Sequence, residues 1–345
     1  MNISVCKKRQ KLSVDVDAVV RLIAATQLPS GEIPWSPGDK TDPWDHVESA
    51  MGLALGGSLV QARKAYAWLQ SMQREDGSWF SAYRNGHPED RTRETNMCAY
   101  IAVGVFHYWL ITGDRNFLEA MWNMVRRAID FTVSHQRASG ECFWAVSPQG
   151  KIDPMALLTG CSSIYMSLKC ARAIAAELGI DGSHWRSETR RLGEAIRHRP
   201  YLFNMTKSRF SMDWFYPVLC GAVTGKEAGR RIERQWKKFV VEGVGVRCVS
   251  DRPWVTIAES AELVLTLAAI GEAGKAGILF SWMAEHRFDD GSFWCGFTFP
   301  DMTVWPEEKI AWTNAAVLLA ADALFNLTPG GKLFNHTWWA ENGYD

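Results

Sequence analysis

One short pattern recurs along the chain and limits what it can fold into: a Gln, three residues, a Gly, and then a Trp. It reads QLPSGEIPW from Gln27 through Gly31 to Trp35, QREDGSW from Gln73 through Gly77 to Trp79, and QRASGECFW from Gln136 through Gly140 to Trp144. A degenerate copy, HRFDDGSFW, carries Gly291 and Trp294. Each copy follows a helical stretch and ends it. Glycine suits the left-handed residue at a helix C-terminus, and the Trp can then fold back over the helix end. A helix-stop device used once per unit is the signature of a repeat architecture.

Apolar periodicity between these stops predicts twelve helices, over 15–27, 45–57, 60–73, 94–112, 116–136, 158–179, 183–198, 213–223, 226–240, 256–270, 274–287 and 309–326. Strand signals are confined to short pieces after each Gly. The even-numbered helices are apolar all round, as in AESAELVLTLAAIG and AWTNAAVLLAADALF, whereas KAYAWLQSMQ and LEAMWNMVRRAIDFTVSHQ are amphipathic. A helix apolar on every side is buried and an amphipathic one covers it. Six buried helices inside six covering ones make an all-α, (α/α)6 toroid of six helical hairpins. No boundary interrupts the series, so residues 1–345 read as one domain, with an N-terminal arm over 1–14 and a C-terminal tail over 327–345. The tail carries Trp338 and Trp339 and is expected to pack on the barrel. The alternative is an open α-solenoid, whose repeats would be more uniform in length.

The formal net charge is zero, so no global field favours nucleic acid or an anionic membrane surface. No apolar run reaches the roughly 18 residues of a membrane span, and the first residues lack the apolar core of a secretory signal. The eight cysteines include no CxxC pair, and several fall in apolar helices, which points to reduced thiols and a cytoplasmic location. No phosphate-cradling Gly-rich loop and no metal-ligand spacing occurs, so neither cofactor nor metal is expected. Seventeen Trp residues exceed what a surface needs and imply a large core, an aromatic-lined pocket, or both.

The copy from Gln73 to Trp79 resembles the QW motif of the terpenoid cyclase and protein prenyltransferase superfamily, whose members are α/α toroids. The stretch from Glu94 to Phe131 is similar to the hairpins of (α/α)6 glycosidases, in which an inner helix ends in a TGD turn and the outer helix opens with an aromatic residue and a Trp. Both resemblances imply the same barrel; they imply different chemistry. The cyclase DxDD acid motif is missing: the nearest strings are DVD at Asp15–Asp17 and FDDG at Asp289 and Asp290. The DDxxD motif is absent, and nothing matches the zinc site of the prenyltransferases.

The inner helices begin after the Trp-bearing loops, so their N-termini converge on one face of the ring. The residues there repeat a theme of acid beside aromatic: Asp45, His46 and Glu48; Arg93, Glu94 and Asn96; Asp213, Trp214 and Tyr216; Arg252, Trp254 and Glu259, with Asp251 before them; and Trp305, Glu307, Glu308 and Trp312. Acids at helix N-termini also act as caps and complement the helix dipole, by roughly 0.3–1 kcal/mol each, and DxxE in WDHVE has the shape of a capping box. Capping accounts for an acid but not for the Trp, Arg and Asn beside it.

A polar pocket floored by aromatic rings suits a sugar, whose CH-rich faces stack on Trp and whose hydroxyls bond carboxylates, Asn and Arg. Cleaving a glycosidic bond takes two carboxyl groups, one of them protonated. Glu307 and Glu259 are the first candidates, followed by Asp45, Glu94 and Asp213; His46, Glu48, Arg93, Asn96, Trp214, Tyr216, Arg252, Trp254, Trp305 and Trp312 are candidate substrate contacts. A lyase or epimerase would instead move protons with His46 or Tyr216. His107, within an apolar helix, reads as a core residue. The expected function is a carbohydrate-active enzyme, a hydrolase by preference. The alternative is an isoprenoid enzyme of the cyclase or prenyltransferase kind, with rings stabilising carbocations and Asp45 starting protonation. The expected partner is a small molecule, glycan or isoprenoid, and the oligomeric state stays open.

Overall fold

The structure, a computed structural model, describes residues 13–344; Cys6 and most of the expected N-terminal arm lie outside them. Helices α1 (Val16–Thr26), α2 (Pro43–Gly56), α3 (Leu59–Met72), α4 (Thr95–Thr112), α5 (Arg115–Val133), α6 (Leu158–Leu178), α7 (Arg186–His198), α8 (Ser211–Leu219), α9 (Gly225–Phe239), α10 (Ile257–Ala269), α11 (Ala273–Met283) and α12 (Ala311–Phe325) correspond one to one with the twelve expected. A further short helix, α13 (His336–Asn342), lies in the C-terminal segment, where the Trp339 ring is buried and its indole N–H donates to the Leu333 carbonyl at 2.6 Å.

The hydrophobic pattern decides which helices are inside. Helix α4 buries its residues on every side, from Thr95 to Tyr108 almost without a break. Helix α9, GKEAGRRIERQWKKF, buries only Ala228, Ile232 and Phe239. The inner helices α2, α4, α6, α8, α10 and α12 each pack on the next, and α12 packs back on α2, so the ring closes. The open solenoid is thereby set aside and the chain is an all-α, (α/α)6 toroid.

The recurring Gln–Gly device differs from the expected helix stop. Gln27 and Gln73 end their helices in extended conformation, and the glycine follows in a tight turn with φ near +100° at Gly31, +89° at Gly77 and +109° at Gly140. The glutamine amide then holds two segments together. Gln27 Nε2 donates to Gly31 O and to Gln61 O on α3, both at 3.0 Å. Gln73 does the same to Gly77 O (3.0 Å) and Met124 O on α5 (2.9 Å), and Gln136 to Gly140 O (2.8 Å) and Glu188 O on α7 (2.9 Å). The device staples each outer helix to the next. Glycine is required because a Cβ at Gly31, Gly77 or Gly140 would collide with a backbone carbonyl of that neighbour, Lys64, Arg127 or Arg191. The fourth copy places Gly291 against Ala18 of α1.

Two residues past each glycine the chain turns inward. The backbone N–H there donates to a side chain of the following inner helix: Ile33 to His46 Nδ1 (3.1 Å), Trp79 to Cys98 Sγ (3.3 Å), Cys142 to Cys161 Sγ (3.4 Å) and Phe293 to Asn314 Oδ1 (2.9 Å). Only Trp79 is a tryptophan at this register, and it folds back as expected, donating its indole N–H to Leu69 O at 2.8 Å. Trp35 and Trp144 stand two residues later.

Short strands decorate the face where the inner helices start. They are β1 (Ala82–Arg84) with β2 (His87–Asp90); β3 (Arg93–Glu94), β4 (Ala145–Val146) and β5 (Ile152–Asp153); and a four-stranded antiparallel sheet of β6 (Val240–Val241), β7 (Gly245–Arg247), β8 (Trp254–Thr256) and β9 (Gly296–Thr298). Among the described residues no helix is long and apolar enough to cross a membrane, and Cys98, Cys142, Cys161, Cys170, Cys220, Cys248 and Cys295 form no disulfide.

Candidate active site

A cavity of about 550 Å³ opens at this face. Its wall carries the carboxyl groups of Asp42, Asp45, Glu48, Glu89, Asp90, Glu94, Glu259 and Glu262, and among the described residues one cation, Lys40. Trp35, Trp44, Trp312, Met97 and Met212 supply apolar surface between them. Trp35 and Trp312 meet edge to face at 6.0 Å, and the Lys40 ammonium sits 4.2 Å over the Trp35 ring.

Most of these acids are not caps. Asp42 is the N-cap of α2, accepting the Asp45 backbone N–H at 3.0 Å, and its other oxygen accepts the Trp35 indole N–H at 2.7 Å. Asp45 therefore faces the cavity. Burial raises its pKa well above the usual carboxylate range, and the charges of Asp42 and Glu48 add to the effect. Glu94 precedes α4 without capping it and accepts the Trp144 indole N–H at 2.8 Å; burial raises its pKa as well. Glu259 lies in the first turn of α10, where no side chain caps the helix.

The floor is a network of acids and phenols. Glu48 accepts from the Trp44 indole at 2.9 Å and the Tyr100 hydroxyl at 3.1 Å, and the Trp44 and Tyr100 rings stack at 4.5 Å. Glu262, one turn beyond Glu259, accepts from the Tyr216 hydroxyl. Burial pushes the Glu48 carboxyl up to about 7, against the pull of its two donors. Glu262 is raised well above its ordinary value by burial and then by the nearby Glu48 and Glu259 charges. The site thus favours the protonated form of its buried carboxyl groups, with other carboxyl groups on the same wall. Among the described residues no three His, Cys, Asp or Glu side chains are placed to hold a metal ion.

No protein-family model matches the chain. Over 312 residues, 90% of this chain and 86% of the relative, it is 51% identical to the MMP endo-(1,4)-3-O-methyl-alpha-D-mannosidase of Mycolicibacterium hassiacum. The chain belongs to that glycosidase family. Solved structures agree on the fold: a wild-type glycosidase aligns with a TM-score of 0.69 at 15% identity, covering 95% of this chain and 100% of that one. A sugar epimerase from a ruminal bacterium aligns with a TM-score of 0.69 at 11% identity, covering 92% and 98% of the two chains. The terpenoid-cyclase likeness gains no support from these relatives, and the cavity presents a set of carboxyl groups rather than one isolated acid.

Of the residues singled out in the sequence, the glycosidase brings Asp45, Glu48, Glu94, Asn96, Glu259 and Trp312 to the cavity wall. Asp213 stands just behind it, accepting from the backbone N–H (3.1 Å) and hydroxyl (2.6 Å) of Thr159, which does line the cavity. Tyr216 lies below the floor through Glu262.

The others go elsewhere, each for a physical reason. Glu307 is exposed beside the cis Trp305–Pro306 bond, outside the cavity wall. Trp305 is 64% exposed and packs edge-on against Trp254 at 5.9 Å. Arg252 is exposed in the turn between β7 and β8. Arg93 is turned to an ion pair with Asp76 at 2.5 Å. Trp214 is buried between α8 and α9, stacked on Phe239 at 5.2 Å and donating to Arg231 O at 2.9 Å. His46 is an anchor: its Nδ1 accepts from Ile33 and its Nε2 donates to Ala65 O at 3.1 Å, and burial lowers its pKa to about 4. The cavity residues that sequence reasoning missed include Trp35, Lys40, Asp42, Trp44, Glu89, Asp90 and Glu262. The i, i+3 spacing of Glu259 and Glu262 in AESAEL, which puts both on one helical face, was the available signal for the last.

Proposed function

We propose that this glycosidase hydrolyses (1,4) bonds inside chains of 3-O-methyl-α-D-mannose, with Asp45 as the general acid and Glu259 as the opposing carboxylate. The relative named above carries that activity in its name, and 51% identity across nearly the whole chain supports carrying it over. The observation that bears most weight is the cavity wall itself, which combines eight carboxyl groups with Trp35, Trp44, Trp312 and two methionines. So many acids repel an anionic ligand and accept hydrogen bonds from a neutral, hydroxyl-rich one. A methyl ether removes a hydroxyl donor and adds an apolar group that an indole or thioether can cover.

Asp45 suits the acid role because burial and two neighbouring acids raise its pKa well above the usual carboxylate range. It gives that proton to the bridging oxygen as the C1–O bond breaks. Glu259, on a different inner helix, supports the positive charge that grows at C1. Water supplies the hydroxyl to C1, and its remaining proton restores the acid–carboxylate pair. Glu48 and Glu262 hold sugar hydroxyls from below.

The test is digestion of 3-O-methyl-mannose oligosaccharides and of the matching unmethylated (1,4)-linked oligosaccharides, followed by mass spectrometry. Internal fragments from the methylated series alone are expected. Release of single terminal residues only, equal cleavage of both series, or full activity in Asp45→Asn would sink the assignment.

A further inference from the structure

Four of the residues singled out in the sequence lie outside the cavity yet share one place. Arg252, Trp254, Trp305 and Glu307 all sit on the sheet β7–β8–β9 and the hairpin that follows it. Trp254 begins β8, which pairs with β9 and runs directly into α10, five residues before Glu259. The hairpin returns from β9 so that the Trp305 N–H donates to Gly296 O at 2.9 Å, and the Phe299 N–H donates to Pro253 O at 2.8 Å. Trp305 is thus fixed to the strand system that positions Glu259. Seven residues further on, Trp312 lines the cavity.

The pair is built unlike a core contact. Trp305 leaves 64% of its surface in solvent although the chain buries Trp79, Trp185 and Trp214 almost completely. Its ring stands edge-to-face on Trp254, at 63° between planes, which braces the indole and leaves a face open. Glu307, two residues after Trp305, and Arg252, two residues before Trp254, are both exposed and offer an acceptor and donors close by in the chain. An open indole with flanking polar groups matches a pyranose ring, apolar on its CH face and hydroxylated at its edge.

We propose that Trp305, braced by Trp254, is an outer sugar-binding platform that receives a ring of the polysaccharide chain beyond the cavity. The assignment rests on the endo-glycosidase reading above. An internal bond has sugars on both sides, and the cavity ends below at Glu48 and Glu262, so the rest of the chain leaves through the mouth. Trp305 then sets the preference for long over short substrates and takes no part in bond breaking.

The experiment compares wild-type protein with Trp305→Ala on short oligosaccharides that fill only the cavity and on long ones, both of 3-O-methyl-mannose. For the long series KM is expected to rise about five- to tenfold in Trp305→Ala, the size of one lost aromatic stacking contact. kcat and all constants for the short series stay unchanged, and Trp305→Phe restores part of the loss. Equal loss on both series, or none on either, overturns the platform while wild-type cleavage leaves the endo-glycosidase reading intact. Absence of cleavage by the wild type overturns both.

Discussion

The carboxylate of Asp42 accepts the backbone N–H of Asp45 at 3.0 Å, so of the two aspartates on the cavity wall it is Asp42 that caps α2, and Asp45 is left without a capping task. Two aspartates three residues apart thereby divide two tasks that either could have done. Asp45→Asn is expected to lower kcat by about a hundred- to ten-thousandfold, the usual worth of a placed general acid, with little change in Tm. Asp42→Ala removes the cap and is expected to cost about 0.5–2 kcal/mol of stability. Thermal melts and initial rates on the two variants separate the roles; a large Tm loss in Asp45→Asn with kcat preserved would reverse them. Because the Asp45 pKa is raised, activity is also expected to fall as pH rises and its proton is lost.

Glu48 links stability to pH. Its carboxyl is pushed up to about 7 in the folded protein from an ordinary value of 4.5. Between those values the unfolded chain has lost the proton while the folded one keeps it, so stability declines as pH rises through this window and levels off above about 7. The contribution present below pH 4.5 is of the order of a few kcal/mol. Glu48→Gln keeps an acceptor for Trp44 and Tyr100 but cannot ionise, so its Tm–pH curve is expected to be flatter between pH 5 and about 7. Parallel curves for the variant and the wild type would show that Glu48 does not titrate there.

The staple is expected to govern stability without touching catalysis. Gln73→Leu removes two hydrogen bonds that hold the turn after α3 to Gly77 and to Met124. It strands buried carbonyls, at a cost of about 1–3 kcal/mol. Gly77→Ala is expected to be worse, since it puts a side chain at φ near +89° and drives it into the Arg127 carbonyl. Denaturant melts rank the two variants, while kcat per folded molecule stays at the wild-type value.

The ring itself was legible because its cause is local: all-round apolar segments such as that of α4 alternate with amphipathic ones such as α9, and no long connection disturbs the order. The repeat was visible as a string but its purpose was not, since Gln73 and Met124 meet only through the packing of α3 on α5. The site was legible in part. Asp45, Glu94 and Glu259 follow from their place at inner-helix N-termini, whereas Glu262 sits a turn deeper in a stretch that reads as core. Glu307 misled for the opposite reason. It is close to α12 in sequence, but it is exposed after the hairpin that follows β9 and does not line the cavity. Trp44 went unremarked because an indole beside Pro43 looks like packing until Glu48 and Tyr100 are seen to bind and stack on it.

His46 supplies the sharpest contrast between an anchor and an acid–base group, since it lies next to Asp45 and has the side chain most often used to move protons. Both ring nitrogens are occupied by backbone partners, Ile33 N–H and Ala65 O, and the ring packs against Trp68 at 4.7 Å. With its pKa lowered to about 4 by burial, it remains neutral through the range where the enzyme would work. His46→Phe keeps the ring but strands both backbone groups, so a loss of about 2–5 kcal/mol is expected from two unmade buried hydrogen bonds. The pH–rate profile of the molecules that remain folded should keep the wild-type shape. Loss of one limb of that profile in His46→Phe, with Tm little changed, would make His46 a proton carrier and move the acid–base chemistry from Asp45 to its neighbour.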